Sequence, residues 1–234
     1  MKIIGLKKSH GNMYPWVTHM HTHLGGECGH HCSYCYVDNK RFGRSPRYTG
    51  NPHLLECELS VDYGRDKTIF IEHKNDIFGP GINDSWINRI IAHCNEFPDN
   101  TYVFQSKNPI RFLDFIWPKN VILGTTIESD LWYPDVMRDA PRPLFRITGM
   151  IALRSKLFMV KRFITLEPIM DFNPERLANY ILSINPHFIN LGADSKGHDL
   201  PEPTVDKILK LTNLLADGGI ELREKYNLDR LRTK

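Results

Sequence analysis

The sequence predicts an α/β protein: an incomplete parallel barrel of six β/α units, (β/α)6, in one domain spanning residues 1–234. Three observations predict it. Short, nearly all-apolar runs recur along the chain, most of them are followed by a stretch with helical apolar spacing, and polar or charged residues gather just after each run. Strands that alternate with helices and read as continuous apolar runs are parallel strands buried on both faces. Isolated ions in a packed core cost several kcal/mol each, so the polar strand ends must face water, one another or a ligand. In a parallel barrel the carboxyl ends of the strands form that rim.

In chain order, residues 15–23, Pro-Trp-Val-Thr-His-Met-His-Thr-His, alternate as a strand does, and Gly25 and Gly26 break it. His19, His21 and His23 then share a face, where polar packing at the barrel mouth outweighs a metal role. From 38 to 65 a loop carries Lys40, Arg41, Arg44 and Arg47 among glycines and prolines, with Phe42 and Tyr48 interleaved. It reads either as a solvated surface or as a basic lid that meets phosphates and stacks on bases. Strands are predicted at 68–73, 102–107, 121–128, 163–167 and 188–192, with a short closing strand at 220–222. Helices are predicted at 84–97, 109–116, 144–156, 174–184 and 203–216; Pro174 suits a first turn, and Gly218 with Gly219 stops the last helix. In the 84–97 helix Trp86, Ile87, Ile90, Ile91 and Cys94 share a face, which places Cys94 in the core.

The stretch Glu27-Cys-Gly-His-His-Cys-Ser-Tyr-Cys-Tyr36 spaces Cys28, Cys32 and Cys35 as C-x3-C-x2-C. Five cysteines scattered over 234 positions would produce this with an expectation of about 0.002, so the spacing signals a metal centre. A structural zinc ion needs a fourth ligand, for which His30, His31 or one of His19, His21 and His23 is available. An iron-sulfur cluster usually takes four cysteines; three leave one iron open.

This loop, with the aromatic Tyr34 before its last cysteine, resembles the cluster motif of the radical S-adenosylmethionine (SAM) superfamily. The resemblance implies a partial barrel of radical SAM type, a [4Fe-4S] cluster on Cys28, Cys32 and Cys35, and SAM on the fourth iron. It further implies reductive cleavage of SAM to a 5'-deoxyadenosyl radical that takes hydrogen from a substrate. The pieces Asn75-Asp-Ile-Phe, Gln105-Ser-Lys, Gly124-Thr-Thr-Ile-Glu and Leu166-Glu-Pro-Ile resemble a phage-associated branch of the superfamily, over about 16–222. A fainter likeness to DNA-repairing spore photoproduct lyases covers the cysteine loop and the barrel.

The strand ends supply the candidate site: Glu72, Lys74, Asn75 and Asp76; Gln105, Ser106 and Lys107; Thr125, Thr126 and Glu128; Thr165 and Glu167; Asn190 and Asp194. The resemblance implies that Asn75 and Asp76 meet the SAM amino group and that Thr126 and Glu128 meet its ribose. Tyr34, Ser106 and Asn190 complete the expected cofactor-binding set. Lys107 and Glu167 remain to bind or protonate substrate. For Asn75, Asp76, Ser129 and Asp194 the competing expectation is a helix cap.

A formal charge of +3 and 41% hydrophobic residues name no partner by themselves. No apolar run reaches the length of about 18 residues that a membrane span needs, and residues 1–8 lack a signal-peptide core. Five cysteines, three of them clustered, fit a reducing compartment, so the expectation is a cytoplasmic protein served by a reductant such as flavodoxin or ferredoxin. A nucleobase or nucleic acid is the leading substrate expectation, from the basic loop and the phage-like pieces. The alternatives are a peptide or small metabolite, or a zinc-stabilised binding module without turnover.

Overall fold

The computed structural model describes residues 3–37 and 45–232, so Lys40, Arg41, Phe42 and Arg44 of the predicted lid lie outside the described residues. Ten strands are described: β1 (Lys7–Lys8), β2 (His19–His21), β3 (Leu24–Gly25), β4 (His53–Leu54), β5 (Thr68–Ile71), β6 (Thr101–Gln105), β7 (Val121–Thr126), β8 (Lys161–Leu166), β9 (Phe188–Leu191) and β10 (Glu221–Glu224). The α-helices are α1 (Asp84–Asn95), α2 (Pro134–Met137), α3 (Pro143–Lys156), α4 (Pro174–Ile184), α5 (Val205–Asp217) and α6 (Asp229–Arg232). Eight strands form one sheet in the order β1-β2-β5-β6-β7-β8-β9-β10, and β3 pairs with β4 in a small antiparallel sheet. From β2 to β10 every pairing in the large sheet is parallel, while β1 runs antiparallel to β2.

The mostly parallel α/β reading is therefore met, and no closed barrel is seen; the count of six units is not matched. The sheet is edged by β1 and β10, and its parallel part has seven strands, the seventh being β10 beside β9, where a short closing strand was expected. The first strand is only His19–His21, because its pairing with β5 stops there and the chain turns away to make β3. Between β2 and β5 the described residues hold 3-10 turns at Pro46–Tyr48 and Glu56–Ser60 in place of an α-helix. The predicted helix at 109–116 is likewise a 3-10 segment, Pro109–Asp114.

The long helices start and stop where side chains satisfy their free backbone groups. Asn83, Asn173 and Thr204 each accept a hydrogen bond from a first-turn N–H of α1, α4 and α5. Asn185 ends α4 in the left-handed conformation. Apolar residues at helical spacing, such as Leu177, Ala178, Ile181 and Ile184 of α4, then face the sheet.

Strand alternation splits the interior in two. Ile69, Ile71, Tyr102, Phe104, Leu123, Ile164, Leu166, Ile189 and Leu191 point to the helices and join the main core. The opposite face carries Met20, Phe70, Val103, Phe163 and Phe188, covered by Tyr14, Trp16 and Val17 of the N-terminal segment. Trp16 packs edge-on against Phe163 and Phe188, with ring centroids at 5.6 and 5.1 Å. No helix among the described residues is long and apolar enough to cross a membrane.

Candidate functional site

On that second face the same alternation turns polar one step further along: Phe70 is followed by Glu72, Val103 by Gln105, Gly124 by Thr126, Phe163 by Thr165 and Phe188 by Asn190. Register brings Thr126 beside Thr165 and Thr165 beside Asn190. The result is an apolar floor with a polar layer above it at the carboxyl ends of the strands. There a cavity of about 660 Å³ opens, a volume suited to a cofactor-sized ligand.

Cys28, Cys32 and Cys35 all line this cavity, together with Tyr34, Asn75, Asp76, Ser106, Lys107, Thr126 and Glu167. The cysteine loop and the strand ends, joined on sequence grounds alone, thus share one space. Cys32 is buried, and Cys28 and Cys35 are partly buried. Burial, then the nearby Asp76 carboxylate, pushes the Cys28 thiol up to about 12. Burial also raises Cys32, against the opposing charges of Lys107 and Arg146. Among the described residues no three His, Cys, Asp or Glu side chains form a group that could hold a metal ion. Three cysteines on a four-iron cluster bind three different irons and do not converge on one atom, so a shared cavity wall fits a cluster's donor set.

Around the cysteines the polar groups are already tied together. Asp76 receives His30 Nε2 at 2.8 Å, Phe78 N at 3.0 Å and Lys107 N at 2.8 Å. Burial would raise its pKa, but His30 and the hydrogen bonds from His30, Ser106 and Lys107 hold it low. Lys107 Nζ donates to Tyr34 Oη and to Glu128 Oε1, both at 2.6 Å. Across the cavity Glu167 accepts from Asn12 Nδ2 at 2.8 Å, Lys225 Nζ at 2.8 Å and Asn227 Nδ2 at 3.0 Å. Tyr14 Oη sits 2.7 Å from both Gln105 Oε1 and Thr165 Oγ1.

Three of the predicted residues stand outside the lining set: Thr125, buried with its Oγ1 donating to Ser106 O at 2.6 Å, Glu128 and Asn190. Glu128 is fully buried; Arg146 Nη1 donates to its Oε2 at 2.6 Å, and Tyr34 and Lys107 occupy Oε1. Asn190 is covered by Trp16, whose Nε1 donates to its Oδ1 at 3.2 Å. Asn75, Asp76, Ser129 and Asp194 accept from backbone N–H groups one to four residues on, as loop caps, not helix caps. His21 and His23 pack inside with Tyr63, Glu58, Glu72 and His93, while His19, expected on the same face, is only partly buried and meets Thr18. The sequence reading missed Asn12, Tyr14 and Lys225 of the lining. Asn12 and Tyr14 come from a segment that crosses the sheet face, and Lys225 follows the strand that extends the sheet, so no local periodicity marks them.

No family model and no curated protein matches this chain. Solved structures do. Spore photoproduct lyase with bound AdoMet and dinucleoside spore photoproduct is 12% identical at a TM-score of 0.56, covering 89% of this chain and 64% of that one. A cysteine-to-serine mutant of spore photoproduct lyase is 11% identical at a TM-score of 0.62, covering 93% and 79%. Streptococcus suis SuiB bound to S-adenosylmethionine is 10% identical at a TM-score of 0.57, covering 88% and 50%. The chain thus spans under two thirds of the lyase chain in its AdoMet complex and half of SuiB. These neighbours are radical SAM enzymes, and the chain shares their fold.

Proposed function

We propose that the chain is a radical SAM enzyme in which Cys28, Cys32 and Cys35 hold a [4Fe-4S] cluster and the adjoining cavity takes SAM and substrate. The single observation that carries this is that all three cysteines of one C-x3-C-x2-C loop open on the cavity formed by the polar strand ends. With an electron from a reductant such as flavodoxin or ferredoxin, a cluster held by these three cysteines would supply reductive cleavage of SAM to a 5'-deoxyadenosyl radical able to take a hydrogen atom from substrate. The chain's own part is position and shielding. Asn75, Asp76, Ser106 and Thr126 present polar groups beside the cysteines to orient SAM. Tyr34 and Lys107, locked to Glu128, form the wall between them. The apolar floor and the Tyr14–Trp16 cover keep water from beneath the site.

For the substrate we propose a nucleobase in nucleic acid. Among the cavity's carboxylates Asp76 meets His30, Glu167 meets Lys225 and Asp194 meets His198. Lys7 and Lys74 also line it, Lys74 standing 4.5 Å over the ring of the half-exposed Tyr36. Lysines beside an aromatic suit a phosphate-linked base, and a base in a duplex would be flipped out to reach the cavity. A peptide is the competing substrate, since a SuiB structure has a precursor peptide bound.

The test is anaerobic reconstitution followed by metal and sulfide analysis, with about four irons per chain expected against one zinc for a binding module. Reduced protein with SAM should release 5'-deoxyadenosine, DNA should stimulate the release more than peptide does, and Cys32→Ala should abolish both iron binding and release. A fully clustered, reduced protein that leaves SAM intact would overturn the proposal.

A further inference from the structure

At the amino ends of β7 and β8, opposite the carboxyl ends that form the cavity, residues 115–120 and 157–160 lead into the two strands. A groove of about 530 Å³ lies there, lined by Ile116, Trp117, Leu157 and Met159 among others, and Lys119 and Lys161 are the only charged residues in the described lining. Three apolar side chains project at this end: Ile116 is 89% exposed, Met159 80% and Phe158 71%. Exposed apolar residues scattered singly are ordinary, but three on two loops around one groove mark a contact surface.

Both loops are held in shape from inside. The buried Arg162 donates from Nη1 to Val160 O at 2.8 Å and to Phe158 O at 3.3 Å, and the Val160 N–H donates to Leu157 O at 3.0 Å. Trp117 Nε1 donates to Phe112 O at 2.9 Å, and Asn120 Nδ2 to Pro98 O at 3.3 Å. The apolar tips therefore stand in water on backbone that is already ordered before a partner arrives, which lowers the entropy cost of docking. The charge around them has one sign. Arg154, Lys156 and Lys161 fall in the segment 154–161, which holds no carboxylate, and Lys119 follows Pro118. All four cations are exposed, and the exposed Asp114 beside Phe115 lies outside the groove's lining.

We propose that this end of the molecule docks on an anionic membrane surface, with Ile116, Phe158 and Met159 entering the boundary between headgroups and acyl chains while Lys119, Arg154, Lys156 and Lys161 meet lipid phosphates. Projecting tips need a matching hollow in a protein partner but none in lipid, which deforms around them. Lysine stems lie along an apolar layer while their ammonium groups reach the headgroups, and clustered cations are drawn to an anionic leaflet. Such docking is lateral, on the surface, and needs no helix that spans the bilayer. Because the groove is at the amino ends of the strands and the cavity at their carboxyl ends, the docked chain keeps its cavity facing solvent. The proposal does not depend on the radical reading above.

The test is co-sedimentation of the full chain with vesicles of phosphatidylcholine alone or with about 30% phosphatidylglycerol added. Binding to the anionic vesicles should be at least about tenfold tighter than to the neutral ones, and it should weaken as salt is raised. Lys119→Glu with Lys161→Glu should lower it at least about tenfold, and so should Ile116→Ser with Met159→Ser. All four positions are exposed, so circular dichroism of both variants should match that of the parent. Lys8→Glu with Lys210→Glu removes as much charge from other exposed positions and should leave binding within about threefold. Absence of binding to anionic vesicles overturns the proposal. So does an equal loss in the Lys8 and Lys210 control, or parent-like binding by the serine variant, since either means attraction by net charge without insertion. Dimers that form without lipid and vanish in the serine variant would put a second copy of the chain on the groove, which overturns it as well.

Discussion

Glu128 and Arg146 form a fully buried ion pair, with Lys107 and Tyr34 completing the coordination of the carboxylate. Burial by itself would raise Glu128, but Arg146 first and Lys107 second hold it down to about 2. Removing one partner of such a pair strands a charge in a low dielectric, so Arg146→Met should cost about 3–5 kcal/mol in chemical denaturation. Adding Glu128→Gln to that variant should recover part of the loss, and a double variant no more stable than the single one would refute the stranded-charge account. The pair also fixes Tyr34 and Lys107 at the cavity wall. Glu128 was legible in sequence as a polar strand end. Arg146, an unmarked residue within a helix, was not, because its partner is 18 positions away and only the β7–α3 contact brings them together.

At the scale of elements, alternation along five parallel strands builds the site, since each apolar floor residue is followed two positions later by a polar one. Gly124 is the point where this floor has no slack. A Cβ there would meet the Phe163 ring at 2.2 Å, so Gly124→Ala should destabilise by about 1–3 kcal/mol through overpacking. A combined Gly124→Ala and Phe163→Leu variant should regain some of it, measured by urea unfolding. Helix starts are a separate, local matter. Asn173 accepts from Arg176 N at 2.9 Å, and Asn173→Ala should cost about 1 kcal/mol in urea unfolding. Elements with strong periodicity and caps, such as α4, were readable to the residue. The 109–116 segment and the stretch before β5 were not, because Pro109 opens a run too short and too irregular to sustain an α-helix, and paired β3–β4 residues break the first unit.

For the molecule as a whole, buried histidines and buried carboxyls set opposite pH slopes. His21, His23, His73 and His93 are all lowered chiefly by burial, His73 to about 3. Below their unfolded value of about 6.5 the unfolded chain takes up protons that the folded chain refuses, so stability falls as pH drops from there. Glu72 is raised by burial and acts in reverse: its contribution is full below about 4.5 and is lost as pH rises through its folded value. Glu72→Gln should therefore make the rise of unfolding free energy between pH 5 and 6.5 steeper, by at most about 1.4 kcal/mol per pH unit. A slope unchanged in that variant would mean that Glu72 is ionised in the folded chain.

The sequence by itself determined the parallel α/β class, the cysteine loop and the polar strand ends, because those follow from local periodicity and from residue spacing within a few positions. Only the tertiary structure decided that the N-terminal segment covers one face of the sheet and contributes Asn12 and Tyr14, and that Glu128 and Asn190 are walled off while Lys225 is brought in. These outcomes depend on which distant surfaces bury each other, and the free energy of that choice is spread over contacts between residues far apart in the chain, where no short-range pattern records it.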